Sequence, residues 1–225
     1  MIQPETIQPE ADTAALPIAC CPGSLVHPFS RVLAMQREEE PETPARLIDT
    51  GFLDQASGLE EGRYGVGLSL EEHASPALAS MPLWSDEIAV ALPAGSPLLA
   101  LEEIPLEELV RHPLVLWSPA SPETLAVRTN ALLCTARRPL NMAQQVQTFG
   151  MLAVLVAAGF GAALAAKSQI VAWQSSGIAM RPLAGPPQVL TTYLVYPAAG
   201  RSDAVERFIE RVRRCRSGSA VEQPA

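Results

Sequence analysis

From Phe149 to Ala166 every residue is apolar or glycine. On length alone this run reaches the lower limit of a membrane-spanning helix, roughly 17–20 residues. Gly150, Gly159 and Gly161 interrupt it, and alanine makes up much of the rest. Gly159-Phe160-Gly161 is a helix stop, because glycine takes up the left-handed backbone that closes a helix. The run therefore reads as a buried helix, Phe149 to Ala158, then a turn, then a short buried strand, Ala162 to Ala166. No membrane span is expected.

The segments before the run alternate in type. Ala15 to Cys20 reads as a strand ending at Pro22-Gly23-Ser24. Ser24 is the expected N-cap of a helix from Leu25 to Glu39, with Leu25, Phe29, Val32, Leu33 and Gln36 near one face. Ala45 to Thr50 is a second strand, Leu53 to Glu61 a helix closed by Gly62, and Tyr64 to Leu70 a third strand. This is the β-α-β-α-β order of a parallel, doubly wound sheet. Pro82 to Pro93 is a long strand whose centre, Ile88 to Leu92, is continuously apolar as in a buried strand.

A second set of elements follows. Leu106 to Val110 is a short helix and Leu114 to Trp117 a buried strand. Ser121, Pro122 and Glu123 form a helix start, and that helix runs to Ala136. Leu140 to Gln145 is a strand, Thr148 caps the apolar helix, Ser168 to Trp173 is a brief helix, and Ile178 to Leu183 a strand. Val189 to Tyr196 is a strong strand. Ser202 or Asp203 caps a last helix to Arg214, with Val205, Phe208, Ile209 and Val212 on one side. The expected architecture is α/β with two Rossmann-like subdomains. Residues 14–86 with 192–216 form the first, and 87–191 form a second inserted into it. The long strands near 82–93 and 188–197 are the crossovers, and the polar ends, 1–13 and 217–225, are expected to be disordered.

Charge and motifs narrow the function. The net charge is −8 and the pI about 4.9, which disfavours nucleic acid, whose affinity comes largely from Lys and Arg on phosphates. Arg207, Arg211, Arg213, Arg214 and Arg216 are interleaved with Glu206 and Glu210 and read as a solvated, ion-paired helix face. Cys20, Cys21, Cys134 and Cys215 lack metal-ligand spacing, so no metal site is expected. The chain opens with no signal-peptide pattern, which implies a cytoplasmic, reducing setting with free thiols. His27, His73 and His112 are scattered, and no nucleophile, zinc-protease, phosphate-loop or dinucleotide motif is present. Neither an enzyme nor a cofactor is expected.

Three segments, in order, carry a family resemblance. Leu155-Val156-Ala157-Ala158-Gly159-Phe160-Gly161-Ala162-Ala163-Leu164 is similar to the V-A-A-G-x-G-x-A-L run of the effector-binding domain of LysR-type transcriptional regulators. Met81 to Leu98 resembles that family's crossover, and Leu106-Glu107-Glu108-Leu109 with His112-Pro113-Leu114-Val115 its following segment. The resemblance covers roughly 14–214. It implies a fold similar to type 2 periplasmic binding proteins, a small-molecule effector, and side-by-side dimers in which the helices Leu25–Glu39 and Pro122–Ala136 are candidate contacts. It departs in two ways. No helix-turn-helix reader precedes the first strand, so no direct DNA contact is expected from this chain. The family's acidic position before the third strand is Tyr64.

In open α/β sheets ligands sit outside the carboxyl ends of the strands, here between the two units. The candidate ligand-binding residues are Gly23, Ser24 and Leu25; Leu70 and Glu71; Ser118, Ala120 and Ser121; Thr148 and Phe149; and Tyr196. Helix N-termini at three of these segments favour a small organic anion. These loops hold no Arg or Lys, which leaves room for a neutral or apolar ligand. Ser24, Ser121 and Thr148 also have a bland reading as ordinary caps. Cys20-Cys21 could sense oxidants or electrophiles near a helix N-terminus, but packing of small apolar side chains is the favoured reading. Two other functions fit the same sequence. One is a stand-alone interaction protein that heterodimerises with a full-length LysR-type regulator. The other is a solute-binding protein of a transporter.

Overall fold

A computed structural model describes residues 15–121 and 124–219, with side chains through 216. The proposed tail 1–13, the helix-start residues Pro122 and Glu123, and residues 220–225 lie outside the described residues.

The chain builds one α/β pattern twice. The first lobe contains β1 (Leu16–Cys20), α1 (Phe29–Glu39), β2 (Ala45–Asp49), α2 (Phe52–Glu60) and β3 (Val66–Ser69). β1 pairs in parallel with β2 on one side and β3 on the other. The second lobe contains α3 (Leu106–Leu109), β5 (Leu114–Trp117), α4 (Thr124–Cys134), β6 (Met142–Val146), α5 (Phe149–Ala157), β7 (Ala163–Ala166), α6 (Lys167–Ala172) and β8 (Ile178–Pro182). Here β5 pairs in parallel with β6, and Leu114 bridges Ala162 at the entry to β7, also in parallel.

Two long strands join the lobes. β4 (Leu78–Pro93) pairs antiparallel with β9 (Val189–Pro197) up to Glu87, then with β7 and β8 from Ile88 onward. The first lobe thus runs β2-β1-β3-β9 and the second β6-β5-β7-β4, three parallel strands closed by an antiparallel crossover in each. This is the two-subdomain architecture of type 2 periplasmic binding proteins. The chain ends in α7 (Asp203–Ser219), which returns to the first lobe.

Each lobe has its own core. The larger runs from Ile88 to Leu190 and includes Trp117, Leu125, Leu152, Leu164 and Ile170. The smaller gathers Ile18, Phe29, Leu68, Leu83, Leu194 and the α7 stripe Val205, Phe208, Ile209 and Val212. Phe29 sits edge-on between Trp84 and Phe208, with ring centroids 6.4 and 6.3 Å away. β4 supplies Leu83 to one core and Ile88 to the other, and β9 supplies Leu194 and Leu190.

The apolar run folds as its glycines dictate. α5 ends where Gly159 takes φ +82°, and β7 is buried throughout. A Cβ on Gly161 would lie 2.4 Å from the Pro113 carbonyl oxygen, so only glycine allows the chain to pass β5 there. No helix among the described residues is long and apolar enough to cross a membrane.

Four sequence expectations are corrected. α1 starts at Phe29, not Leu25, because Pro28 has no N–H to continue a helix and fits only at its first turn. Ser24 is accordingly not its cap; its hydroxyl donates to the Cys21 carbonyl at 2.7 Å. β4 begins four residues earlier than the apolar pattern showed, since Leu78 to Met81 pair with β9. α7 continues to Ser219, through the start of the proposed tail. Its arginine face is also not simply solvated. Arg211 is 3% exposed and reaches α1, donating to Gln36 Oε1 at 2.7 Å, Glu39 at 2.8 Å and Glu40 at 3.0 Å. Arg214 pairs with Glu39 and Arg207 with Glu40.

Candidate functional site

The parallel strands of both lobes aim their carboxyl ends at one enclosed space. From the first lobe, Gly23, Leu25 and Val26 follow β1 and Leu70 follows β3. From the second, Leu125 lies in the first turn of α4 beyond β5, and Ala166, Ser168 and Gln169 lie where β7 passes into α6. The crossovers add Asp86, Leu190 and Thr192. The space measures about 20 Å³, room for about one water molecule. The lobes are therefore closed on one another. An open groove of about 410 Å³ adjoins it and shares Asp86 and Ser168 with it.

Polar groups at this boundary are unevenly matched. Asp86 accepts from the Ser168 hydroxyl at 2.6 Å, from the Ser168 amide and from the Glu87 amide. Gln169 Oε1 is buried and accepts from no protein group. Trp84 Nε1, in the first lobe, is likewise buried without an acceptor. In the groove, Lys167 lies 3.7 Å from Glu87.

Of the candidate residues, the structure brings Gly23, Leu25 and Leu70 to the enclosed space. Ser24 is fully buried behind it with its proton given to Cys21. The loops after β5 and β6 are tied to each other: Ser118 N donates to Val146 O at 2.7 Å, and Ser121 Oγ donates to Gln147 O at 3.0 Å. Ser118 Oγ accepts from Ala120 N. Thr148 caps α5, accepting from Met151 N, and Phe149 packs edge-on against Trp173. Glu71 is exposed just past β3, its amide donating to Ser69 Oγ. Tyr196 lies four residues along β9 from Thr192, roughly 13 Å away, under the Arg201 guanidinium. Asp86, Ser168, Gln169 and Thr192 were not singled out by the sequence. The strand-end rule applied to β7 would have pointed to Ser168 and Gln169.

Burial governs the thiols beside this space. It pushes Cys20 up to about 12 and Cys21 up to about 11, from a usual value near 9, so neither is a thiolate at neutral pH. The sensing alternative for Cys20-Cys21 has no electrostatic support. His73 stacks on Phe52 at 4.0 Å and meets Gln55 Oε1 at 2.9 Å, and burial pushes its pKa down. Gln55 Nε2 donates to Ala19 and Leu68 carbonyls, so this group stitches β1 to β3 rather than forming a reactive cluster.

A depression of about 500 Å³ lies elsewhere, between the Pro93–Leu98 turn, His112-Pro113 and the end of α5. Its wall is mostly backbone, proline, alanine and glycine, and His112 is already 3.6 Å from Glu108. It lacks the convergent polar side chains of a specific ligand site. Among the described residues there is no cluster of side chains able to hold a metal ion.

Comparison with known proteins agrees with this geometry. The family model described as the LysR substrate binding domain matches residues 10–216. The chain is similar to the Hca operon transcriptional activator HcaR of Escherichia coli (strain K12), 24% identical over 198 residues, covering 88% of this chain and 67% of that protein. It is also similar to the probable cat1 operon transcriptional activator of Acinetobacter lwoffii, 31% identical over 84 residues, 34% of this chain and 27% of that protein. The chain thus spans only part of each. Among solved structures, the BenM effector binding domain with its effector benzoate superposes with a TM-score of 0.75 at 22% identity, covering 93% of this chain and 95% of that one. The effector binding domain of QuiR in complex with shikimate gives 0.75 at 14% identity, covering 91% and 97%. With a family model spanning nearly all of both lobes and the same two-lobed fold in effector-bound neighbours, the chain belongs to the LysR substrate-binding domain family.

Proposed function

We propose that this chain is an effector sensor of LysR type, which takes a small organic molecule between its lobes and so controls transcription. Residues 14–86 with 192–216 and 87–191 are the two moving bodies. The observation that carries this is mechanical. Two separate cores are joined by β4 and β9 around a space to which the strand ends of both lobes point. A ligand that holds the lobes apart or together shifts their angle by its differential affinity for the two arrangements. Relatives named as transcriptional activators, and neighbours solved with benzoate and shikimate, support the reading. Sensing, rather than catalysis, is the role. The chain pairs with itself, with α1 and α4 as candidate contacts.

The test is a thermal-shift screen against small aromatic acids, amides, alcohols and amines. Binding at a hundred times Kd stabilises by about 2.7 kcal/mol, which moves the melting temperature measurably. A flat response across all four classes would refute sensing. The closure of the space to about 20 Å³ favours a second reading in that event: an interaction protein that pairs with a full-length LysR-type regulator, read out as hetero-assembly on mixing.

A further inference from the structure

Resting on the sensor reading, the chemistry of the inter-lobe boundary narrows the ligand class. We propose that the molecule taken between the lobes is a neutral or cationic hydrogen-bond donor, such as an amide, alcohol or amine, and not a free carboxylate. Three observations converge. Among the described residues no Arg, Lys or His lines the enclosed space, and Ser24, the nearest candidate hydroxyl after β1, gives its proton to Cys21. Among the described residues lining it the one charged side chain is Asp86, whose oxygens are already engaged by Ser168 and Glu87. It therefore acts on a ligand as a fixed negative charge rather than as a free acceptor. Of the two buried side-chain atoms without a partner among the described residues, the one on a residue lining the space is an acceptor, Gln169 Oε1; the other, the donor Trp84 Nε1, is on a residue outside that lining.

The adjoining groove has the same sign. Lys167 is matched by Glu87, and Asp86 remains in excess. Arg128, on α4, donates at 2.8 Å to the carbonyl of Val189, which lines the groove, and so stands beside it with that donor turned to the backbone. An anion entering by this route meets the Asp86 carboxylate, with Lys167 already paired to Glu87 and Arg128 bonded to a backbone carbonyl. A ligand with an N–H or O–H meets an unsatisfied acceptor.

The inference is tested with four probes of one size: benzoate, benzamide, benzyl alcohol and benzylamine. Their Kd values are measured at pH 7 by calorimetry on the wild type, on Asp86→Asn and on Gln169→Leu. The expected result is that the tightest uncharged or cationic probe binds at least tenfold more tightly than benzoate. Asp86→Asn should lessen the advantage of benzylamine over benzoate. Gln169→Leu should weaken the donor probes severalfold while leaving the unliganded protein as stable as before or more so. That combination separates recognition from a merely structural role. Benzoate binding as tightly as benzamide, with donors supplied by loop amides after β1, would overturn the inference and leave the sensor reading intact. Donor probes that ignore both substitutions would overturn the assignment to this boundary. No binding by any probe would count against both.

Discussion

Replacing Arg211 with methionine tests how the first lobe is closed. The side chain is 3% exposed and ties α7 to α1 through Gln36, Glu39 and Glu40. Methionine fills similar volume, so the loss is mainly polar. Gln36 is fully buried, and its Oε1 would be left without the 2.7 Å donor, a cost of about 1–3 kcal/mol. Glu40 keeps Arg207, so losing its second bond adds about 1 kcal/mol rather than the full penalty of a stranded charge. Glu39 is solvated and still held by Arg214, and is left out of the sum. The total is roughly 2–4 kcal/mol, a large part of the 5–15 kcal/mol typical of a folded domain. Urea unfolding should show the midpoint falling with the slope unchanged. A double-mutant cycle with Gln36→Leu should show coupling, the double variant losing less than the sum of the two single losses, because the pair shares the 2.7 Å bond while Gln36 also donates to Thr43 O and Glu40.

Acid gives a second view of the same clamp. Bonds from Arg214 and Arg211 hold the Glu39 carboxyl below its usual value. Burial pushes Glu40 up, but Arg207 and Arg211 outweigh it and the net shift is downward. A carboxyl with a lowered folded pKa stabilises above its unfolded value, near 4.3, and loses that contribution as pH falls through the folded value. The wild type should therefore lose more stability on acidification than Arg211→Met does. An Arg211→Met variant within about 0.5 kcal/mol of wild type, or losses at Arg211 and Gln36 that simply add, would refute the reasoning.

Two further outcomes follow from packing. Gly161→Ala should cost about 1–3 kcal/mol or more, since its methyl group would meet the Pro113 carbonyl and the Leu114 amide, both backbone atoms that cannot swing away; unchanged melting would contradict this close approach. A maleimide probe on the native protein should label the exposed Cys134 promptly and leave buried Cys20, Cys21 and Cys215 to react only on unfolding. Rapid native labelling of Cys20 or Cys21 would revive the thiol-sensing alternative.

The fold was legible where hydrophobic period and glycine agreed. Leu114–Trp117 and Ala163–Ala166 are short apolar runs between turn residues, and each is a fully buried strand; the strand expected over Tyr64 to Leu70 is also fully buried but spans only Val66–Ser69. The end of α5 was legible because Gly159 marks it. The start of α1 was misread because Ser24 has the right chemistry for a cap but Pro28, nearer the helix, decides where backbone N–H groups become available. The first residues of β4 were missed because Leu78-Ala79-Ser80-Met81 lacks a clean pattern; partnership with β9, distant in sequence, makes it a strand. The buried Arg211 was invisible for the same reason, as its partners sit on α1. Around the enclosed space, Gly23, Leu25 and Leu70 are positions to which the strand-end rule points. Asp86, Gln169 and Thr192 were not singled out, since they come from crossovers and from a helix whose packing only the fold reveals.

How the lobes meet bears on what a sensor of this shape needs. Leu25, Val26 and Leu70 from the first lobe, Leu125 from the second and Leu190 on the crossover surround the enclosed space with apolar surface. Such contact is non-directional, so opening it costs in proportion to area exposed rather than by breaking a fixed geometry. The polar tie at the boundary, Ser168 to Asp86, joins α6 to a crossover strand, while β4 and β9 run unbroken through both cores. At the point where β4 passes from one core toward the other, its register against β9 shifts between Pro82 and Trp84. A bulge bends a strand and loosens its ladder locally, and this one lies two residues before Asp86, which lines the space. A ligand that replaces the apolar seal with its own surface, and satisfies Gln169, offsets the opening cost directly; one that brings a negative charge to Asp86 adds to it.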